Sequence, residues 1–553
     1  MDEAELQRAL EGQDEAALEE MARRLARSEV DRGRFRALMG RGPELALSAS
    51  ARWEEAVSKA EGMRTAALVA RILRNGIVGD TEAQKCCFCV AASAVATLWK
   101  TTTFTFEDND DARLLSRTLV QLLSNLVTQN DELQGRLWSD ALGIGRIKEG
   151  TTRDGVDLVI RLLQSPDQGT SAASQVLVLN TTVDSGARSE ILVQKSAGAT
   201  LMRCLLDLAQ SHVEEDEDEE EGAEEQVLHD NDSGLAVPLE DSFTKKRRTR
   251  MENLGVLFAI FDNIMDRGLF DKAYSSLAPI NEEHSLVSAS QLTLLKLLDA
   301  KLQQKHASVG KDDAQSLLDA FTKLATWAQS SMQDVINAGP DEAKPDARLV
   351  EVHVGLVLLC QCLIQLSMSI VSSSAPSPAQ SILSLMRTQI FVGTLISLLH
   401  TTMEFSPAIS PFKSTAATPV SQPPQGHALS QTGAATLAAG AAGVSKSNDG
   451  SRPGMDNLKR DLVSLLGTLS FYRSLPTPTE KEKESESESV RIVQDTTREK
   501  GGLFDVMNLT QLDERNPYIR ERAIFALRNL LRNNEESQNL VARLRPVEAN
   551  GTS

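Results

Sequence analysis

The run Asp513, Glu514, Arg515, Asn516, Pro517, Tyr518, Ile519, Arg520, Glu521, Arg522, Ala523, Ile524, Phe525, Ala526, Leu527, Arg528, Asn529, Leu530, Leu531, continuing to Asn539, is where the fold is decided. It reads as a helix with marked ends. Asn516 is expected to cap it and Pro517 to occupy its first position, where a missing N–H costs nothing. Asn533 and Asn534 are expected to close it. Ile519, Ala523, Ala526, Leu527 and Leu530 recur at three- and four-residue steps and make one apolar stripe. Ile524, Phe525 and Leu531 widen that stripe, which predicts an inner helix with neighbours on more than one side.

The same pattern recurs upstream. Leu73-Arg74-Asn75-Gly76 is followed by Gln84, Leu123-Ser124-Asn125-Leu126 by Gln134, and Leu527-Arg528-Asn529-Leu530 by Gln538. In each copy an Asn late in an apolar helix precedes a Gln by nine positions, across a short polar loop. Asn180, after Leu177-Val178-Leu179, is a degenerate fourth copy. Self-similarity of this kind marks a helical-repeat solenoid, with copies roughly fifty residues apart against about 40–47 for armadillo and HEAT repeats. The expected fold is therefore all-α, an armadillo/HEAT-like solenoid with disordered insertions.

Residues 457 to 545 also resemble the C-terminal domain of the ataxin-10 family. The matching blocks are Leu458 to Val463, Leu465-Leu466-Gly467, Val493-Gln494-Asp495, Gly501-Gly502, Asn516 to Glu521, Ala523-Ile524 and Arg528-Asn529-Leu530, in that order. Arg522 stands where the family usually has Trp and Thr468 where it often has Asn, and Pro476, Pro478 and a Glu/Lys/Ser run are inserted before Val493. The resemblance implies an armadillo-like, non-catalytic protein linked to cytokinesis and cell survival.

Composition agrees with helices. The chain has 553 residues, 41% hydrophobic but only 4% aromatic, so its core is built from Leu, Ile, Val and Ala. A formal charge of -19 argues against general nucleic-acid binding, which depends on neutralising phosphates. The N-terminal residues lack a basic region followed by an apolar run, so a cytoplasmic location is expected. The apolar windows 350–371 and 389–400 are read as core helices rather than membrane spans. Five segments follow: helical repeats over 1–212, an acidic then basic disordered insertion over 213–250, a central helical block over 251–403, a Pro/Ser/Ala-rich linker over 404–456, and the ataxin-10-like domain over 457–548.

Candidate sites are of four kinds. Asn75, Asn125 and Asn529 stand where armadillo proteins hold an extended peptide through an Asn amide; the alternative is that each amide closes a neighbouring helix end. Arg520, Arg522, Arg528 and Arg532 give the C-terminal helix a basic side suited to an acidic or phosphorylated segment, unless Glu514, Glu521, Glu535 and Glu536 balance it. Lys245, Lys246, Arg247 and Arg248 have the composition of a nuclear-import signal, which would add shuttling to the cytoplasmic location. Ser377, Ser406, Ser410, Thr418 and Thr477 each precede Pro and are open to proline-directed kinases.

Cys86, Cys87, Cys89, Cys360 and Cys362 invite a metal reading, and some fungal relatives carry a copper-transport name. Their apolar context and spacing favour buried small residues, so no metal and no cofactor is expected. No nucleotide loop, zinc-protease helix or nucleophile elbow is present, and the chain is expected not to be an enzyme. The function expected is a protein-interaction scaffold in cell division, with other proteins as partners, neither nucleic acid nor membrane, and self-association left open. A nuclear-transport-like cargo adaptor and a copper homeostasis factor are the alternatives.

Overall fold

The computed structural model describes residues 3–11, 14–59, 62–102, 109–144, 155–193, 198–213, 240–304, 309–338, 345–372, 378–408, 455–472 and 479–543. Among the described residues every regular element is a helix. The chain forms two compact units, Met1–Ser276 and Leu277–Ser553. The break does not fall at the acidic insertion. A helix already begins at Glu240, includes the basic cluster expected to be disordered, runs to Asp266 and packs on the Gln168–Thr182 helix of the first unit.

In the first unit the helices Glu15–Arg27, Met63–Gly76, Asp110–Val127, Gln168–Thr182 and Glu240–Asp266 stand side by side in that order as a ladder. The helices Glu44–Val57 and Ala91–Thr101 pack against them. Asp110–Val127 shows why these segments are helical. Asn109 caps it by accepting from the backbone N–H groups of Asp111 and Ala112, and Leu115, Leu119, Leu122, Leu123 and Leu126 are buried. Each such leucine contributes about 1.5–3 kcal/mol. Gly76 is required by close approach, since a β-carbon there would overlap the Phe35 ring.

The turns between repeats share a conformation. Gly79, Gln129 and Asn533 all have positive φ, and the next residue, Asp80, Asn130 or Asn534, caps the following helix through its side chain. Asn533 thus closes the Ile519–Leu531 helix as expected, while Asn534 opens the next one.

In the second unit Ala289–Leu302, Arg348–Ser372, Asp456–Leu469 and Ile519–Leu531 form the ladder. Lys311–Ala338, Gln389–Phe405 and Glu480–Glu499 form a second layer. The Arg348–Ser372 helix is long and apolar enough to cross a membrane, and Val352, Leu356, Leu359 and Leu363 are packed inside this unit. Gly467 lets two ladder helices meet, because a β-carbon there would lie 2.8 Å from the Phe525 ring and 3.0 Å from the Ala526 Cα.

Two expectations about the deciding helix are corrected. It starts at Ile519 rather than Pro517, because the Ile519 N–H donates to the Asn516 carbonyl in a tight turn and Tyr518 occupies the cap position. It also buries a single face, Ile519, Ala523, Ala526, Asn529 and Leu530, and leaves Ile524 and Phe525 exposed. No third layer covers its outer side among the described residues.

A buried ion pair fastens the second unit. The Arg387 guanidinium donates to Glu486 at 3.0 Å, to the carbonyls of Leu469 and Phe471, and to the Ser489 hydroxyl. Both charged side chains are nearly inaccessible, at 1% and 8%. Removing one partner leaves an uncompensated buried charge. Arg387→Ala is expected to destabilise the protein by about 3–5 kcal/mol, and Arg387→Met with Glu486→Leu to recover the part due to the unpaired carboxylate, since the Leu469 and Phe471 carbonyls lose their donor in both. Urea unfolding of the full chain measures both; an equal loss in the double variant would refute the ion-pair account.

Candidate partner-binding site

The three repeat asparagines lie at ladder-helix ends and turn their amides toward the preceding helix. Asn75 Nδ2 donates to the Ala22 carbonyl at 2.8 Å, Asn125 Nδ2 to the Arg74 carbonyl at 3.2 Å, and Asn529 Nδ2 to the Gly467 carbonyl at 2.9 Å. Asn75 and Asn529 are buried, and Asn75 Oδ1 accepts from the Arg74 guanidinium. These two cannot hold a peptide, and the reading in which the amide closes a neighbouring helix end describes them. Asn125 is half-buried, and its Oδ1 has no hydrogen bond among the described residues.

A glutamine is the second member of this clasp, Gln84 of the repeat pattern in the first unit and Gln494 in the second. Gln84 Nε2 donates to the carbonyls of Asn125 and Thr128, and Gln494 Nε2 to those of Asn529 and Arg532. Asn130 Nδ2 donates back to Gln84 Oε1 and Asn534 Nδ2 to Gln494 Oε1, both at 3.3 Å. The two units therefore contain one and the same polar module. In this clasp the Gln lies on an earlier helix than its Asn, so Gln494 was visible only as part of a family block. The glutamines nine residues after Asn125 and Asn529, Gln134 and Gln538, donate instead to the Val127 and Leu531 carbonyls of the helix just ended. Asn180 donates to the hydroxyls of Ser124 and Thr128, and Asn263 to the Thr182 carbonyl and the Ser189 hydroxyl, so the ladder continues beyond the copies legible in sequence.

The C-terminal helix carries a surface of another character. Opposite its buried face, Tyr518, Glu521, Phe525 and Arg528 follow at three- and four-residue steps, with Arg532 at the end. Tyr518 is 67% exposed, Ile524 49% and Phe525 39%. Phe525 stacks on Phe471 with centroids 6.4 Å apart, and the Arg532 guanidinium lies over the Tyr472 ring at 5.3 Å. Arg520, Arg522, Arg528 and Arg532 are all exposed, and Arg520 and Arg528 have no hydrogen bond or ion pair among the described residues. The expected acidic balance is absent for Glu536, which pairs with Arg498 at 2.6 Å.

Comparison with known proteins assigns this end of the chain. Residues 489–553 match the family described as the spinocerebellar ataxia type 10 protein domain. A Dictyostelium discoideum ataxin-10 homolog is 36% identical over 87 residues, 16% of this chain and 12% of the relative. The C-terminal end of the chain is therefore similar to the C-terminal domain of the ataxin-10 family. Ataxin-10 homologs of Candida glabrata, 41% identical over 54 residues (10% of each chain), and Kluyveromyces lactis, 33% over 102 residues (18% and 15%), match as well. Each match spans less than a fifth of either chain. Among solved structures, an engineered protein aligns over 96% of this chain and 99% of its own with TM-score 0.33 and 12% identity. A structure from work on the phosphorylation-controlled interaction between cadherin and β-catenin aligns over 95% and 89% with TM-score 0.26 and 13% identity. Scores this low carry no argument about the fold.

The exposed strip of the ataxin-10 domain is thus the place where Arg520, Arg522, Arg528 and Arg532 meet aromatic side chains. The remaining candidates separate from it. Lys245 to Arg248 lie on the Glu240–Asp266 helix, with Arg248 donating to Glu252 at 3.0 Å. Ser406 is not an accessible linker residue: it is buried at the end of the Gln389–Phe405 helix, and its carbonyl accepts from the fully buried Lys459 at 2.9 Å. Ser377, Ser410, Thr418 and Thr477 lie outside the described residues.

No three metal-binding side chains among the described residues are grouped to share an ion. Burial in apolar surroundings pushes the thiols of Cys87, Cys360 and Cys362 well up, opposing the thiolate that a metal needs. An open hollow of about 370 Å³ in the second unit is lined by Thr326, Gln329, Gln389, Ile390, Thr394, Ser397 and Lys500.

Beside Cys360 and Cys362 two carboxylates are buried. Asp461 accepts from Arg460 at 2.8 Å and from Gln361 at 3.4 Å, while Asp299 accepts from Gln303 at 2.8 Å and its Oδ1 has no hydrogen-bond partner. Burial first, then repulsion by Asp461, raises the Asp299 carboxyl from 3.8 to about 6. The folded state keeps this proton up to about pH 6, whereas the unfolded chain releases it near 3.8. Stability should therefore fall as pH rises through that window, by about 3 kcal/mol in total. Asp299→Asn should flatten this slope and make the protein more stable at pH 7, read from urea midpoints between pH 4 and 8. An unchanged slope would show that Asp299 ionises freely.

Proposed function

We propose that this chain is a non-catalytic scaffold that binds an acidic segment of a protein partner on the outer strip of its ataxin-10 domain. The observation that supports this most directly is the exposed run Tyr518, Phe525, Arg528 and Arg532, flanked by Ile524 and the unpaired Arg520. Aromatic side chains and arginines dominate the energetics of protein interfaces, and a fully solvated face of a stable helix has no need of them. Unpaired guanidiniums on a chain of net charge -19 favour an anionic partner over a basic one. By the family resemblance the process served is cytokinesis, in the cytoplasm.

The test is capture of partners from dividing cells by the full chain, followed by affinity measurement with the purified partner. Tyr518→Ala and Arg528→Glu should each weaken binding by at least tenfold while leaving the melting temperature within about a degree of wild type, because both side chains are exposed. A captured set that is the same for wild type and both variants would overturn the assignment of this strip.

A further inference from the structure

We propose that Arg71 and Arg74 on the Met63–Gly76 helix, with Gln121 and Asn125 of the adjacent ladder helix, form a second binding site, for a carboxylate or phosphate borne by an extended peptide. The site lies within the first unit and shares no residue with the C-terminal strip. Arg64, Arg71 and Arg74 line the one open side of a helix whose other faces are buried. Arg64 is occupied by Glu15 at 3.7 Å. Arg71 makes no hydrogen bond or ion pair among the described residues, and its Nε is buried without an acceptor.

Arg74 is half-buried and has no carboxylate partner either. Its guanidinium donates only to neutral amides, to Asn75 Oδ1 at 3.0 and 2.8 Å and to Gln121 Oε1. Burial first, then the neighbouring Arg71 charge, lowers the Arg74 guanidinium to about 10, which leaves it a cation at neutral pH. The carboxylate one turn before Ala22, whose carbonyl the adjacent Asn75 holds, is Glu19, and it is taken by Arg23 at 3.4 Å.

Two like charges one helical turn apart, partly removed from water and without a counter-ion, repel each other. A protein with 77 acidic and 58 basic side chains has carboxylates to spare, so the lack of one here is a local property. An oxyanion between the two guanidiniums would satisfy the orphaned Arg71 Nε and relieve the repulsion, and the planar fork of arginine suits carboxylate and phosphate alike. Asn125 adds the peptide. Its Nδ2 is fixed on the Arg74 carbonyl, which leaves Oδ1 half-exposed beside the arginines and able to accept a backbone N–H. An anion on an extended chain would thus be held at two points, whereas a free anion would be held at one.

Fluorescence anisotropy on the full chain tests this with two labelled twelve-residue peptides in a Gly/Ser background, one carrying three glutamates and one a single phosphoserine. Wild type should bind at least one of them, and the preference assigns the oxyanion. Arg71→Gln and Arg74→Gln should each weaken binding at least tenfold, whereas Lys59→Gln, with the same change of charge at a distant exposed ion pair, should not. Arg71→Gln should keep or raise the melting temperature, since it removes repulsion and no bond. Failure of wild type to bind either peptide, equal binding by the arginine variants, or a lower melting temperature for Arg71→Gln would each overturn the proposal.

Discussion

The ladder helices Asp110–Val127 and Ile519–Leu531 end against an earlier helix, and their last backbone carbonyls have no further helical turn to pair with. Those carbonyls have to be paired, at a cost of about 1–3 kcal/mol for each one left bare. Asn and Gln meet the need because each carries donor and acceptor on one short planar group. Gln84 and Gln494 each span two terminal carbonyls, and Asn130 and Asn534 hold those glutamines in place while capping the next helix. The tie between repeats and the start of the following helix therefore depend on the same few amides. Left-handed residues at 79, 129 and 533 complete the module by turning the chain so that the cap residue falls under the helix it left.

This constraint explains which parts of the fold were legible in the sequence. Asn75, Asn125 and Asn529 stood out because a polar side chain in an apolar helix end is conspicuous, and the all-α repeat reading followed from them. Their role was not legible, since an amide facing a helix end and an amide facing a groove leave the same letter at the same period. Gln494 was hidden because its partner Asn529 follows 35 residues later, a separation fixed by the intervening helices and not by a local pattern. Asn263 was hidden because the chain between it and Asn180 is swollen by the acidic run, which moved the expected domain boundary as well.

Periodicity misled in one further way. Ile524 and Phe525 read as a widened core because apolar letters ordinarily mean burial, yet the helix buries the Ala523, Ala526 and Leu530 edge. Small residues mark the face that packs closely, as the near contact of Gly467 with Ala526 shows. The large side chains lie on the other side, with Arg520 and Arg528, which form no ion pair among the described residues. In a domain held together by buried amides and by the Arg387–Glu486 pair, Phe525 packs only one side of its ring, on Phe471, and Tyr518 and Ile524 remain largely open to solvent. Their composition makes physical sense as a surface completed by another molecule.

The division of labour along each ladder helix follows from geometry. The C-terminal turn is committed to the clasp, since any change there bares a carbonyl, as the buried amides of Asn75 and Asn529 show. The open side one or two turns earlier carries no such obligation and can vary in charge from repeat to repeat. In the three helices that carry Asn75, Asn125 and Asn529 the position four residues before the Asn holds Arg71, Gln121 and Phe525. A solenoid built this way keeps one edge of every repeat fixed for packing while leaving an adjacent edge free to acquire a ligand. The unpaired Arg71 and the exposed Phe525 occupy equivalent places in the two units because that edge is where a repeat can afford an unsatisfied side chain.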